Sequence, residues 1–378
     1  MQNAPLSGIN ILDFTALLPA AMCTMYLADM GASVIKVEPP EHGDGARGPK
    51  GSSPTNFFLI TNRNKRSVEL DLKQAKGRDA ALKLAAEAHV IVEGFRPGVM
   101  DRLGVGYEAV KAVNPSAVYC SITGYGQTGP LASKGGHDIN YQAYAGVLAQ
   151  NVIDGSRPSP GDVPIADLAG GGVTAALGIV AALFSVQRGG PGRYIDVSMT
   201  DCAMALNIPA LASKLTNGGI APIPGRNTLS GGLPCYRTYP TSDGRYLAFG
   251  ALEPKFWLAF CAAVNRPDLQ ARGWDSGQDF DSAVSEIAAL VAVKSFAEWC
   301  ELLTPLDACV TPVLMLDEVL EHPHTAARGM VKQVEGCGVV TLQYAFPLRM
   351  SDFEFEVRYG APRLGEHNQE LAFPSSPS

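Results

Sequence analysis

The sequence predicts an α/β fold, in which a large Rossmann-like domain with a parallel sheet is joined to a smaller α/β domain. Apolar runs of strand length alternate with segments of helix length through the first half of the chain, which is typical of parallel strands covered by helices. The stretch N-G-G-I-A-P-I-P-G-R-N then ends this alternation. Because 378 residues are more than one small core needs, we predict two domains.

The strands of the large domain are predicted from short apolar runs, and its helices from longer segments with boundary residues. Ile9–Phe14 is such a run, and the helix after it starts at Pro19 and ends at Gly31, as proline and glycine preferences require. The predicted strands are 9–14, 33–38, 68–72, 90–95, 117–125 and 193–199. The predicted helices are 19–30, 74–88, 107–113, 168–187 and 200–216.

A hairpin is the clearest signal in the small domain. Cys235–Pro240 and Arg245–Leu252 are strand-like runs joined by T-S-D-G, a turn sequence. Pro254 then starts a helix directly after Glu253, as a proline at the first helical position does. Helices at 283–293, 296–303 and 317–322 and a strand at 308–314 complete this part. We place the large domain at 1–200, completed by 331–378, a linker at 201–225 and the small domain at 226–330.

Composition excludes several classes of function. The net charge of −7 argues against a nucleic-acid-binding protein. Eight cysteines without a C-x-x-C pair, and a start without a signal sequence, predict a cytoplasmic protein with reduced thiols. The uncharged run 168–187 reaches membrane-spanning length, but its glycines and alanines favour a helix packed on a sheet, so we expect no membrane span. No metal-ligand motif occurs in the sequence, and no metal site is predicted.

The first strand–helix turn bears on cofactor binding. It reads F-T-A-L-L-P-A-A and lacks the G-x-G-x-x-G fingerprint of dinucleotide-binding folds. Glu38 ends the second predicted strand, where a dinucleotide enzyme holds its ribose carboxylate. Without the glycines, that carboxylate alone does not predict a nicotinamide cofactor.

A histidine and an aspartate stand out as candidate acid–base groups. His137 lies in G-G-H-D-I-N-Y, and Asp167 opens the uncharged run 30 residues later. Brought to two sides of one pocket, they could move a proton off one face of a carbon and onto the other. The alternatives are a polar loop or core histidine and an aspartate that only caps a helix. Glu253, likewise, could be only a carboxylate at a helix start.

Basic residues cluster in two places in the first hundred residues. N-R-N-K-R-S-V-E-L-D-L-K provides Arg63, Lys65, Arg66 and Lys73, and E-G-F-R-P-G-V-M-D-R provides Arg96 and Arg102. The second cluster follows a predicted strand, at the carboxyl edge where open α/β sheets bind ligands. Arginines at this edge suit phosphate groups. The alternative is a solvated surface with ion pairs.

These motifs together resemble those of the family III CoA-transferases. The resemblance runs along nearly the whole chain. The matching segments include L-A-D-M-G-A-S-V-I-K-V-E, N-K-R-S-V-E-L-D-L-K, E-G-F-R-P-G-V-M-D-R-L-G, T-G-Y-G-Q-T-G-P, G-H-D-I-N-Y, D-V-S-M-T-D, D-G-R-Y-L-A-F-G-A-L-E-P-K-F-W, D-A-C-V-T-P-V and H-P-H-T-A-A-R-G-M. The resemblance to this family implies an interlocked homodimer, in which two ring-like chains are threaded through each other.

The intact G-H-D-I-N-Y motif is similar to that of the racemases within this family. The resemblance implies a racemase or epimerase of 2-methylacyl-CoA thioesters, with His137 and Asp167 as two bases and an enolate between them. Glu253, in G-A-L-E-P, would set their protonation states. No separate cofactor is implied, since coenzyme A is part of the substrate. The expected substrate- and CoA-binding residues are Leu70, Leu72, Lys73, Gly94, Phe95, Arg96, Arg102, Asp138 and Tyr141.

Two other activities stay open at this point. In an acyl-CoA:carboxylate CoA-transferase, Asp167 would attack the thioester and form a covalent intermediate. A non-catalytic CoA-binding protein would exchange no substrate hydrogen with solvent. The chain also departs from the family pattern at Pro39, where many relatives have an arginine. Arg47 is a candidate substitute for that phosphate contact.

Overall fold

The protein divides into two compact units in a computed structural model, which describes residues 3–152 and 157–370. The first unit comprises Met1–Val147, Pro160–Leu206 and Pro323–Ser378, and the second comprises Leu148–Ser159 and Asn207–His322. Residues 371–378 of the predicted C-terminal stretch lie outside the described residues. The second unit includes residues 148–159, which we had assigned to the large domain.

Three sheets are present in the described part of the chain. The first is the expected six-stranded parallel sheet, with strand order β3-β2-β1-β4-β5-β6, which confirms the predicted fold class. β7, β8 and β9 form an antiparallel sheet in the second unit, and β10 and β11 form a hairpin. The strands are β1 Asn10–Phe14, β2 Ser33–Glu38, β3 Lys65–Glu69, β4 Val90–Glu93, β5 Val118–Thr123, β6 Tyr194–Ser198, β7 Tyr236–Pro240, β8 Tyr246–Gly250, β9 Val310–Pro312, β10 Val331–Gly336 and β11 Val339–Tyr344.

The helices of the first unit connect the parallel strands and cover the sheet. They are α1 Leu18–Asp29, α2 Asn56–Thr61, α3 Ala75–Glu87, α4 Val99–Arg102, α5 Tyr107–Val113, α6 Asp138–Tyr144, α7 Ala175–Gln187, α8 Met199–Leu206, and α14 Pro323–Ala327. The helices of the second unit are α9 Ile208–Thr216, α10 Pro254–Ala263, α11 Phe280–Val291, α12 Phe296–Leu303 and α13 Leu316–Glu321. The predicted linker 201–225 is therefore largely helical.

A π-helix, Ala166–Thr174, runs directly into α7. Its glycines allow close packing, because a Cβ on Gly171 would come within 2.9 Å of the Pro19 Cβ and 3.0 Å of the Met199 Sδ. Such π segments are rare in proteins and are frequent at functional sites. Ala166–Gln187 as a whole is long and apolar enough to cross a membrane, a test that the core helix of a soluble protein also passes; 44% of its most apolar window is buried inside the protein.

The structure corrects three predicted elements. β3 begins at Lys65 rather than at residue 68, because charged residues of this segment are buried and paired. The predicted helix 200–216 is two helices, α8 and α9, with a break at Asn207 before Pro209. Asp167 does not cap the helix after it, since it lies in the first turn of the π-helix, whose N-cap is Ile165.

Four charged side chains form a buried charge network beneath the loop that follows β1: Asp13, Lys36, Asp44 and Lys65. Lys65 Nζ lies 3.1 Å from Asp13 Oδ2, and Lys36 Nζ lies 2.8 Å from Asp44 Oδ2. All four are at most 3% exposed. Burial raises the pKa of the Asp13 carboxyl, but Lys65 and Lys36 hold that pKa below its ordinary value.

Candidate active site

A cavity of about 640 Å³ opens at the carboxyl edge of the parallel sheet in the first unit. Its walls include residues 16–20, which are the end of the loop after β1 and the first residues of α1, and the loop after β4, residues 94–97. β1 and β4 are neighbours in the sheet, and the strand order reverses between them. Open α/β sheets bind their ligands in the crevice at this switch point, and the cavity has the size of a small-molecule site.

His137 lines the cavity from the start of α6. It is the N-cap residue of this helix, and its backbone N–H donates to Asn140 Oδ1 at 3.1 Å. The capping interaction fixes the chain at the point where the histidine side chain is exposed toward the cavity. The sequence prediction had not assigned a helix to these residues.

Asp167 lines the same cavity, and Asp138 holds it in place. The Asp138 Oδ1 atom accepts hydrogen bonds from the backbone N–H groups of Ala166 at 2.8 Å and Asp167 at 3.1 Å. These are among the unpaired donors at the start of the π-helix, so Asp138 performs the capping that we had expected of Asp167. Asp138 is not among the residues that line the cavity; its expected contact with the substrate stays a prediction.

The Asp167 carboxyl has a raised pKa. Burial is the main cause and the nearby Asp138 charge adds to it, while His137 opposes it, so that the pKa of Asp167 reaches about 6. A carboxyl with a pKa near 6 exists in both protonation states close to neutral pH, as an acid–base group requires. His137 and Asp167 thus line one cavity, as the sequence predicts.

Tyr141 forms one side of the site and packs against glycines. Its hydroxyl donates to the Gly136 carbonyl oxygen, and a Cβ on Gly124 would lie 2.2 Å from the tyrosine ring. Burial, followed by the Asp167 charge, raises the pKa of Tyr141 to about 12. The phenol therefore stays neutral at physiological pH and gives the site a rigid wall.

The cations of the cavity lie at its mouth. Gly94, Phe95 and Arg96 line it as predicted. The Arg96 guanidinium passes so close to Gly135 that a Cβ there would lie 2.7 Å from Nη2. Lys134, which the sequence analysis missed, also lines the cavity. Both basic side chains are exposed, as groups that bind a phosphate from solvent must be.

Several predicted binding residues do not line this cavity. Leu70 is buried in the core, and Leu72 packs against the same core. Lys73 and Arg102 are exposed, just beyond β3 and at the end of α4 respectively. Their predicted contacts with the adenosine phosphates stay predictions.

Glu253 belongs to the second unit. It is an exposed residue at the N-cap position of α10, as expected from the glutamate–proline pair. Its predicted role beside the two bases stays a prediction.

Arg47 is not available as the substitute that Pro39 led us to expect. Its Nε and Nη2 atoms each donate to Glu38 at 2.7 Å, its Nη1 donates to the Pro362 carbonyl oxygen, and its guanidinium stacks 3.9 Å above the Phe58 ring. The expectation for Arg47 is therefore wrong. The two bonds from Arg47, one from the Ser67 hydroxyl and one from the Asp44 backbone N–H occupy the Glu38 carboxylate.

Apolar residues also line the cavity; Leu17 and Phe57 gave no signal in the sequence, whereas Met199 was a candidate for an apolar lining or for core filling. Leu17, Phe57 and Met199 provide apolar wall, and Leu17 and Phe57 are 52% and 66% exposed. They lie on three segments that approach one another only in the fold. Among the described residues no group of three or more histidine, cysteine, aspartate or glutamate side chains is arranged to hold a metal ion.

The model of CoA-transferase family III matches residues 6–368. The chain therefore belongs to this family of enzymes, which confirms the resemblance seen in the sequence motifs.

Named relatives of two activities are similar to the chain. Human alpha-methylacyl-CoA racemase is 35% identical over 366 residues, which cover 97% of this chain and 92% of the relative. The acetyl-CoA:oxalate CoA-transferase of Acetobacter aceti is 32% identical over 379 residues, with 98% and 95% covered. A CAIB/BAIF family protein from Brucella suis has the same fold, with a TM-score of 0.83 at 29% identity over 98% of this chain and 99% of that one. Family membership alone does not choose between racemisation and CoA transfer.

Proposed function

We propose that this protein racemises 2-methylacyl-CoA thioesters by moving the α-proton between the two faces of the carbon. The observation that supports this most is the pairing of His137 and Asp167 in one cavity, where the carboxyl pKa is raised to about 6. A transferase needs only the carboxylate as nucleophile. A histidine beside it is what a second base requires.

In the proposed reaction, one base removes the α-proton and the thioester becomes an enolate. For one enantiomer, the neutral His137 imidazole accepts the proton, and the protonated Asp167 carboxyl delivers its own proton to the opposite face. For the other enantiomer, the Asp167 carboxylate accepts the proton and the His137 imidazolium delivers one. Each turnover leaves the pair with one proton between them, so no further reactant is consumed.

The coenzyme A portion is proposed to enter at the mouth of the cavity. Arg96 and Lys134 lie there as exposed cations, suited to charge-assisted bonds with phosphate oxygens. The apolar wall formed by Leu17, Phe57 and Met199 is proposed to contact the acyl chain. The protein is proposed to act in the cytoplasm.

CoA transfer is the second candidate, because Asp167 lines an open cavity and relatives named as transferases cover the chain equally well. It requires a covalent bond between the Asp167 carboxylate and the acyl group, with coenzyme A as the leaving thiolate. A second carboxylic acid must then take part. This requirement separates the two candidates.

Incubation of (R)-2-methylacyl-CoA with the protein in D2O tests the proposal directly. We expect deuterium at the α-carbon and both enantiomers at equilibrium, read by mass spectrometry and chiral separation. An absence of exchange, with product formed only after a second carboxylic acid is added, would establish the transferase instead.

The His137→Ala variant tests the two-base mechanism. Racemisation requires both faces, so we expect it to be abolished, while deuterium still enters the enantiomer that Asp167 deprotonates. His89→Ala is the matched control, because His89 precedes β4 and lies at the opposite edge of the sheet. Racemisation by His137→Ala at the wild-type rate would rule out the histidine as a base.

The interlocked homodimer implied by the sequence is proposed for this protein as well. In the second unit, α9 exposes an apolar stripe formed by Ile208, Leu211 and Leu215, which are 66%, 60% and 71% exposed. Exposed apolar stripes of this kind are typical of interaction surfaces. Light scattering at micromolar concentration should give the mass of two chains, and a monomer would contradict this part of the proposal.

A further inference from the structure

The part of the cavity wall that follows β1 contains a residue with a strained backbone. Leu17 has φ 65° and ψ −171°, a backbone conformation that is almost restricted to glycine. It precedes α1, and its side chain is half exposed and lines the cavity. Conformations of this kind persist where surrounding bonds enforce them, and they are frequent at ligand-binding sites.

The buried charge network provides those bonds. Asp13 Oδ1 accepts from the backbone N–H of Thr15 at 2.8 Å, and Lys36 Nζ donates to the Thr15 carbonyl oxygen at 2.7 Å. Asp44 Oδ1 accepts from the backbone N–H of Leu17 at 3.1 Å. The loop between β1 and α1 is therefore held on three sides by side chains that are at most 3% exposed.

Asp44 connects this loop to a second segment of the cavity wall. The same Oδ1 atom accepts from the backbone N–H of Ala46 at 2.8 Å, and Gly45 and Ala46 line the cavity. Its own backbone N–H donates to Glu38 Oε2 at 2.9 Å, and its Oδ2 faces Lys36. One buried carboxylate thus joins two loops that lie 27 residues apart in sequence.

From these contacts we infer that Asp44 is a positioning residue, which with Lys36 fixes the Leu17 wall against which the acyl-CoA binds. This inference rests on the proposed function for the identity of the ligand. Asp44 is not among the residues that line the cavity, whereas His137 and Asp167 are, so Asp44 touches no reacting atom. Its loss should therefore weaken binding more than proton transfer.

Two variants of Asp44 test the inference. Asp44→Ala removes both acceptors and the partner of Lys36, and we expect KM for 2-methylacyl-CoA to rise at least tenfold, with kcat for solvent deuterium exchange lowered less than threefold. Asp44→Asn keeps an oxygen that can accept from Leu17 and Ala46, and should raise KM less than threefold. The smaller rise of KM in Asp44→Asn than in Asp44→Ala would show that the accepting oxygen of residue 44, rather than its negative charge, positions Leu17.

Asp29→Ala is the matched control for stability. Asp29 is also a fully buried carboxylate, paired with Arg63 at 2.7 Å. It lies at the opposite end of α1 from Leu18, about 16 Å away at the rise of an α-helix. We expect a lowered Tm and an unchanged KM. An equal rise of KM in Asp29→Ala and Asp44→Ala, or an unchanged KM in Asp44→Ala, would overturn the inference.

Hydrogen exchange in the ligand-free protein separates this inference from the proposed function. In Asp44→Ala, the peptide that contains Leu17 should exchange its amide hydrogens at least tenfold faster than in wild type or Asp29→Ala, whichever reaction the enzyme catalyses. Calorimetry with a straight-chain acyl-CoA as the probe, which carries the acyl chain that the Leu17 wall is proposed to contact, should show weaker binding in the same variant. Unchanged exchange at Leu17 would contradict the positioning role even if racemisation is established.

Discussion

Asp13 and Asp167 lie in the same unit, and their pKa values are displaced in opposite directions. Asp13 is completely buried, yet Lys65 and Lys36 outweigh the effect of burial and lower its pKa. Asp167 is only partly buried, and its pKa rises to about 6 because burial and Asp138 act together with only His137 opposing them. Between these two carboxyls, the pair of buried lysines beside Asp13, rather than the depth of burial, accounts for the opposite directions.

The same contrast applies to the buried charge network and the cavity as a whole. In the buried charge network, burial raises the carboxyl pKa values of Asp13 and Asp44, but each is held below its ordinary value by a lysine. These two carboxyls therefore stay ionised over the physiological range. The cavity leaves Asp167 without a buried cation, which makes its proton exchangeable.

Breaking a pair in the buried network should have the largest effect. Lys65→Met leaves Asp13 without its 3.1 Å partner, and loss of one member of a buried pair costs about 3–5 kcal/mol. We expect the thermal transition of the first unit to move down by about 10 °C in calorimetry.

Lys50→Met is the control for that variant. Lys50 pairs with Glu41 at 3.5 Å, and both side chains are about two-thirds exposed. Exposed pairs contribute less than about 1 kcal/mol, so Tm should be nearly unchanged. Equal effects of the two substitutions would show that the buried lysine is not needed to offset the Asp13 charge.

Two arginines extend the comparison from carboxylates to cations. Arg96→Ala removes an exposed guanidinium at the cavity mouth and should raise KM for the acyl-CoA about tenfold, or about 1.4 kcal/mol, without lowering Tm. The buried Arg47, paired with Glu38, provides the opposite case: Arg47→Ala should lower Tm. An unchanged KM in steady-state kinetics of Arg96→Ala would remove this residue from the binding site.

The pH dependence of the reaction should report the cavity carboxyl. Deprotonation of the enantiomer that Asp167 serves requires the carboxylate, whose pKa is about 6. Below this value kcat/KM for deuterium exchange should fall about tenfold per pH unit, since it follows ionisation in the free enzyme. A profile that stays level down to pH 4.5 would mean that Asp167 has an ordinary pKa or is not the base.

Asp167→Asn should have the smallest effect, and this effect is on folding stability. Unlike the other substitutions, it should make the protein more stable. The folded protein keeps the Asp167 proton up to about pH 6, whereas the unfolded chain releases it near pH 4. The ionised group therefore lowers stability fully above pH 6, and this penalty disappears below pH 4. With allowance for solvent screening, the variant should be about 1 kcal/mol more stable than wild type at pH 8 and equal to it at pH 4.

Melting curves at the two pH values measure this difference. Asp162→Asn, at an exposed aspartate five residues earlier, should change neither. A stabilisation of Asp167→Asn that is the same at pH 4 and pH 8 would not come from the carboxyl proton.

The sequence predicted the positions of five of the six parallel strands well, because each is an apolar run between helix signals. It misplaced the start of β3, since no local pattern shows that Lys65 is buried against Asp13, 52 residues earlier. It missed α6, although His137 and Asn140 form a capping pair that could have been recognised. Only Pro209 in the predicted helix 200–216 gave notice of the break at Asn207.

The sequence predicted the reactive residues of the candidate site more completely than the contacts that hold them in place. His137, Asp167, Tyr141 and Arg96 line one cavity, as motif order suggested. Asp138 caps the π-helix by accepting a hydrogen bond from the backbone N–H of Asp167, 29 residues later. No pattern in the sequence specifies this contact. The strained conformation of Leu17 has no signal in the sequence either, because the residue is a leucine where a glycine would be usual.

The contact between Asp138 and the π-helix has a consequence for motion. Asp138 follows His137 directly in the chain and accepts from the N–H groups of Ala166 and Asp167. The two proposed bases are therefore joined by a peptide bond on one side and two hydrogen bonds on the other. Thermal displacement of either segment moves both together. Their separation, which must match the width of one carbon atom and its two proton paths, can therefore stay constant when substrates of different size bind.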